Sequence, residues 1–289
     1  MKKWAKNTQR SHIIVEHNYD SGSVDEQAYI KKLTSDVRVV SIVHTSPVTG
    51  MTVDLEKITK EVRNVTPDCI IIVDGIQHSS HGAIDVQKYD IDGYVVSPYK
   101  MFSRHGYGVA WASDRLCTLN KEQLADGPFQ NWELGTRDAG SYATFSDVVD
   151  YLDWLGSNFT ESENTRERLE ASSIAIKSHE QELVDLVVNG AEDIVGLRNN
   201  KKIRIIGNPA STSREGVVSF FHKNKPSSII VEELRQRKIR VHIRKDDHYC
   251  GNILRPLNQK DCIRFSICHY NSKAEVVEFM KAMNEISAN

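Results

Sequence analysis

The sequence predicts an α/β fold, a large domain built on a mostly parallel sheet, followed by a smaller C-terminal α+β domain. Three observations carry this. Short β-branched runs at 37–44, 69–74, 92–97 and 108–113 read as buried strands. Helical patterning separates strands in this half, as parallel pairing requires. After residue 140 long helical patterns take over, and strands return only near 202.

Taken in order, 37–44 is a short apolar run. The segment 53–62 follows, with Leu55, Ile58 and Val62 on one helical face. Four aliphatics, Ile70, Ile71, Ile72 and Val73, then lead to Asp74. The runs 92–97 and 108–113 flank a turn through Ser97, Pro98 and Lys100. The segment 145–156 reads as a helix with Ser146 as N-cap and Gly156 as its C′ stop. A long charged helix is expected over 158–190, with a stripe of Leu169, Ile176, Leu183 and Val187. Beyond it, 202–207, 216–222, 228–238, 262–269 and 273–286 mix strand and helix patterns. The domain boundary is placed at Gly156, giving a large domain over 1–156 and an interdomain helix with the small domain over 157–289.

The bulk numbers fit that size. The 289 residues are 39% hydrophobic and 26% charged, with a net charge of −2. That balance gives no electrostatic reason to expect nucleic acid or a membrane surface as partner. No apolar run approaches a bilayer span, and the basic N-terminus lacks the apolar core of a signal peptide. Five scattered cysteines without a CxxC suggest neither a disulfide framework nor a zinc site, and a cytoplasmic setting is expected.

In open α/β sheets ligands sit beyond the carboxyl ends of the strands. The segments at those places are 44–50, 74–81 and 97–100, with 135–138 ahead of the expected helix. Asp74, after four aliphatics, either caps the turn before Gly75 or holds a protonated group of a ligand. Lys100 is either a solvated loop residue or a desolvated amine, nucleophilic toward an aldehyde. Ser97 and the backbone near Gly106 can accept a phosphate.

Together, "VDGIQHSSHGAIDV" and "DGYVVSPYKMFSRHGYGVAW" resemble the class V aminotransferases, fold-type I pyridoxal-phosphate enzymes that include the cysteine desulfurases. The shared order is Asp74, Gln77, Ser97, Lys100 and Gly106. "ELGTRD" resembles the family's Gly–Thr segment, and "CIRFSICHYNSKAEVVEF" its C-terminal Arg–x–Ser signature with the final helix. Tyr99, His105 and "ELGTRD" point to a cysteine-desulfurase-like subgroup.

The resemblance implies pyridoxal 5'-phosphate as cofactor, a small amino-acid substrate and a homodimer. It implies that Lys100 holds the cofactor as an internal aldimine and shuttles the α-proton. Asp74 would keep the ring nitrogen protonated, Gln77 would bond the ring hydroxyl, and Ser97 would help fix the phosphate. Thr136 would do so across a dimer interface. Arg264 would take the substrate carboxylate, a task suited to a guanidinium fork. Cys250 lies where desulfurases carry their sulfur-accepting cysteine, beside His248; the alternative is a small, partly buried residue. Cys262 and Cys268 read as core.

Three departures accompany the match. It begins well inside the family's large domain, so a truncated large domain is expected. The phosphate-cradling turn and the residue that stacks on the ring have no counterpart among these residues. Pro47 stands where the family has an asparagine, and Ser103 and Arg104 stand where it has Gly–Pro. Other class V reactions (transamination, epimerisation, β-elimination) and a non-catalytic binding role are the alternatives.

Overall fold

The computed structural model describes residues 1–289 except 21, 23, 129–130, 133, 137, 192, 210–212 and 289. Two short helices, α1 (Lys2–Asn7) and α2 (Glu26–Ile30), lead into a four-stranded sheet. It comprises β1 (Val39–Val43), β2 (Ile70–Asp74), β3 (Gly93–Val96) and β4 (Val109–Ala112), in that spatial order. β1, β2 and β3 are parallel, with Val43 beside Asp74 and Asp74 beside Val95. β4 returns antiparallel to β3, so the expected mostly parallel sheet is present with one reversed edge.

The crossover helix α3 (Leu55–Val65) starts where Asp54 accepts the amide of Lys57. Its Leu55, Ile58 and Val62 are buried with Ile42, Ile71, Val73 and Tyr94. Asp92, immediately before β3, is fully buried. Its carboxylate accepts from Arg63 Nη2 at 2.9 Å, Arg115 Nε at 2.6 Å and the Ile71 amide at 2.8 Å. A buried acid is tolerated only with such pairing. It ties α3, β2 and the short helix α4 (Asp114–Cys117) to one point.

Two helices follow, and both differ from the sequence expectation. α5 runs Ala139–Gly156, capped by Asp138 rather than Ser146. Asp138 accepts the Gly140 amide, while Arg104 bonds the same carboxylate and the Ser141 hydroxyl. The cap thus forms about two turns earlier than apolar periodicity alone indicated. Gly156 is the last helical residue, not a left-handed stop; a Cβ there would lie 1.9 Å from the Arg168 carbonyl. Close helix approach, not turn geometry, explains that glycine. α6 begins only at Thr165, where Asn164 accepts the Glu167 amide, and runs to Asn189. Ile176, Leu183 and Val187 of its expected stripe are buried, while Leu169 is only half-buried.

A small hairpin, β5 (Gly190–Ala191) and β6 (Ile194–Val195), turns the chain. An antiparallel sheet then forms in the order β7 (Ile203–Ile206), β8 (Val217–His222), β10 (Asp261–Ser266), β9 (His242–Lys245). α7 (Ser227–Gln236) and α9 (Lys273–Ala288) pack with α6 against it, and α8 (Gly251–Leu254) follows β9. All six residues of β8 are buried, with Val218 and Phe220 toward the helices. Phe221 instead joins Val48, Ile206, Cys250, Leu254 and Cys262 in a second cluster. Val48 comes from the first sheet's loops, so this cluster joins the two halves. Among the described residues no helix is long and apolar enough to cross a membrane.

Candidate active site

The carboxyl ends of β1, β2 and β3 lie side by side and set out the polar groups. The His44 amide donates to the Asp74 carbonyl at 2.9 Å, and the Gly75 amide to that of Val95 at 2.9 Å. Asp74 does cap its turn, accepting the Ile76 amide on Oδ1 at 3.0 Å. A Cβ at Gly75 would overlap the Tyr94 ring, so the chain turns here only with glycine.

Lys100 sits in the turn Pro98–Met101 that follows β3. It is half-buried, and its Nζ donates to Gln77 Oε1 at 2.9 Å. Burial lowers its pKa, the nearby Arg264 lowers it further, Asp74 opposes the shift and Arg244 adds to it. Lys100 is therefore partly withdrawn from solvent. Phe102 closes the turn at φ 70°, a left-handed conformation that costs a bulky side chain free energy and holds the turn in a single shape.

Arg264 arrives from the other sheet. It pairs across β10 with Ser219 and His242, and its Nη1 donates to the Pro47 carbonyl at 3.0 Å. Proline brings no polar side chain, but its carbonyl anchors this guanidinium. Burial lowers the Arg264 pKa, and the charge of Arg244 lowers it further. The Nε atoms of both arginines are buried without a hydrogen-bond partner among the described residues. Unspent buried donors near the Lys100 amine suit an anionic ligand. Gln77 thus bonds the Lys100 amine, and the charges of Asp74, Arg264 and Arg244, from both sheets, act on it.

The remaining expected residues lie as follows. Ser97 precedes the lysine turn, and its side chain does not cap it. Thr136 is exposed on the segment before α5. Arg104 is held by Asp138 and Ser141. Ser103 Oγ lies 2.6 Å from the Tyr107 hydroxyl, and Tyr99 stacks on His105 at 4.2 Å. Cys250 is 1% exposed, inside the apolar cluster with Val48 and Leu254. Cys262 beside it is fully buried, and burial raises its pKa to about 12.

Sequence reading missed a layer beneath these groups. His78 and Glu215 meet at 2.5 Å, and His81 and Glu180 at 2.7 Å. His44 stacks on His78 at 3.7 Å and bonds the Tyr94 hydroxyl at 2.9 Å. Glu180 carried a signal: it interrupts the buried stripe of α6 between Ile176 and Leu183. Glu215 carried none.

The fold matches solved structures of cysteine desulfurases, so the molecule is of the fold-type I class. The apo enzyme from Thermococcus onnurineus NA1 superposes with a TM-score of 0.80 at 20% identity, covering 99% of this chain and 68% of that one. The S-sulfonic acid form of Escherichia coli CsdA gives 0.76 at 21% identity, covering 98% and 67%. Residues 3–279 match the class-V aminotransferase family, and the chain belongs to it. A probable cysteine desulfurase of Treponema pallidum is 23% identical over 280 residues, 92% of this chain and 63% of that protein. An aminotransferase-like protein of Gibberella zeae, FGM3, is 26% identical over 272 residues, 91% and 62%. The chain therefore spans somewhat under two thirds of the length of these relatives.

Proposed function

We propose that the chain serves a pyridoxal 5'-phosphate-dependent enzyme acting on a small amino acid, in the manner of a cysteine desulfurase. The observation that carries this reading is the half-buried Lys100 amine, held by Gln77 and faced by Asp74 and Arg264. The bound cofactor would supply an aldehyde and a ring that withdraws electrons from the substrate's α-carbon. Lys100 would be the amine that captures the aldehyde and later carries a proton. Asp74 would hold the ring nitrogen's proton, and Gln77 would orient the ring. Arg264 would bind the substrate carboxylate through the donors it does not spend on Pro47.

Residues 1–156 and 157–289 are read as two domains with the site in the cleft between them. Ser97 is read as a phosphate ligand. The exposed Thr136 is read as reaching the site of a second copy in a homodimer, and the setting is read as cytoplasmic. Sedimentation at micromolar concentration tests the dimer, expected at twice the monomer mass.

The burial of Cys250 supports a second reading of the reaction, a class V conversion in which this chain supplies no sulfur-accepting thiol. Sulfide release from cysteine that survives Cys250→Ala fits that reading, and release that disappears restores the persulfide role. The cofactor reading is tested by incubation with pyridoxal 5'-phosphate and borohydride. A stable adduct on Lys100 is expected by mass spectrometry, lost in Lys100→Ala. No adduct on the wild-type protein would favour a non-catalytic role.

A further inference from the structure

Gln77 stands between two groups with opposing demands. Lys100 is a donor only, so the Gln77 carbonyl must face it, as it does at 2.9 Å. The Gln77 amide nitrogen then faces His81 Nε2 at 2.9 Å. That nitrogen must accept, so the single imidazole proton lies on Nδ1. Nδ1 in turn lies 2.7 Å from Glu180 Oε2. One proton assignment satisfies all three contacts.

We propose that His81 and Glu180 are positioning residues for the Lys100 amine, with the charge and tautomer of His81 deciding which end of Gln77 the lysine meets. A carboxylate at Nδ1 fixes the tautomer that accepts from Gln77. If His81 gains a second proton, or moves its proton to Nε2, it becomes a donor toward Gln77. The carboxamide must then turn its oxygen to His81 and its NH2 to Lys100. An ammonium facing NH2 loses its acceptor, so Lys100 gives up its proton more readily. His81 and Lys100 thus compete for one oxygen.

Charged and titratable groups from four elements face His81, and they pull in both directions. Glu180 comes from α6, Glu215 from the segment before β8, Lys100 from the turn after β3, and His269 from the chain after β10. Burial lowers the His81 pKa, but the hydrogen bond and charge of Glu180, with Glu215, raise it overall against Lys100. Gly216 leaves room for the pair, since a Cβ there would sit 3.0 Å from Glu180 Oε2 and 3.2 Å from His81 Cε1.

Lys100 takes its catalytic meaning from the reading above, but the test uses cofactor-free protein. Nitrogen-15 NMR of the imidazole rings, recorded on the alkaline side of the His81 titration, is expected to show its remaining proton on Nδ1. In Glu180→Met the proton should move to Nε2. The pH midpoint for acetylation of Lys100, followed by mass spectrometry, should move to lower pH in the same variant. Glu180→Asp should restore both, and Glu215→Gln, which removes a nearby charge bound to His78, should leave both near wild type. A wild-type Nε2–H tautomer would overturn the proposal without any variant. So would a Lys100 midpoint unmoved in Glu180→Met, or moved equally in Glu215→Gln. Each of these can fail while borohydride still traps a Lys100 adduct, so the two readings are separable.

Discussion

Arg264 spends one Nη on Pro47, and its buried Nε has no hydrogen-bond partner among the described residues. A lysine at this position would keep the charge but lose the planar fork. Arg264→Lys is expected to weaken binding of a carboxylate ligand by about 1.5–3 kcal/mol, the worth of a hydrogen bond to a charged group. Calorimetric titration with a small amino acid in the cofactor-loaded protein would measure it, and unchanged affinity would remove Arg264 from the site. The residues that sequence could reach are those whose partners are local. Asp74, Gln77 and Lys100 sit at neighbouring strand ends and announce themselves by an acid, an amide and an amine after apolar runs. Arg264 became legible through resemblance alone. Glu215 stayed invisible because its partner His78 is 137 residues away, and no periodicity links them.

At the scale of elements, the strands fell close to their apolar runs, but β1 and β4 are only partly buried, with Val43 and Trp111 exposed. Helix starts were read less well. Ser146 and Asp138 are both good caps, and only the tertiary contact with Arg104 decides between them. The pairing of α5 with α6 at Gly156 gives a sharper test. A methyl group there meets the Arg168 backbone, which cannot rotate away. Gly156→Ala should therefore destabilise the protein by about 1–3 kcal/mol, the usual cost of overpacking, despite alanine's better helix propensity. Urea unfolding of the two proteins checks it, and a stabilised variant would mean that the helices separate at no cost.

At the scale of the molecule, His44 makes stability depend on pH. Burial first, then the charges of His78 and Lys177, push its pKa from 6.5 to about 2. The unfolded chain thus binds a proton that the folded chain refuses. The stability present above about 6.5 falls as the pH drops toward the folded value, by up to about 1.4 kcal/mol per pH unit for one group. His81 acts in the other direction: its pKa is raised, so its contribution is held at low pH and lost as pH rises through the folded value. His44→Gln should flatten the decline in melting temperature between about pH 6.5 and 5 relative to wild type. An identical decline would show that His44 is not the source.

The turn at 47–50 also governs how the chain comes apart. Its four successive carbonyls are all taken by the C-terminal half: Pro47 by Arg264, Val48 by Ser219, Thr49 by Arg214 and Gly50 by the Glu215 amide. Pulling the halves apart would break these four hydrogen bonds together, each worth about 0.5–1.5 kcal/mol net. Neither half has a route to melt first, so heat should produce one cooperative transition, with calorimetric and van't Hoff enthalpies equal. A backbone segment of four residues thus acts as the rivet that makes two sheets one thermodynamic unit.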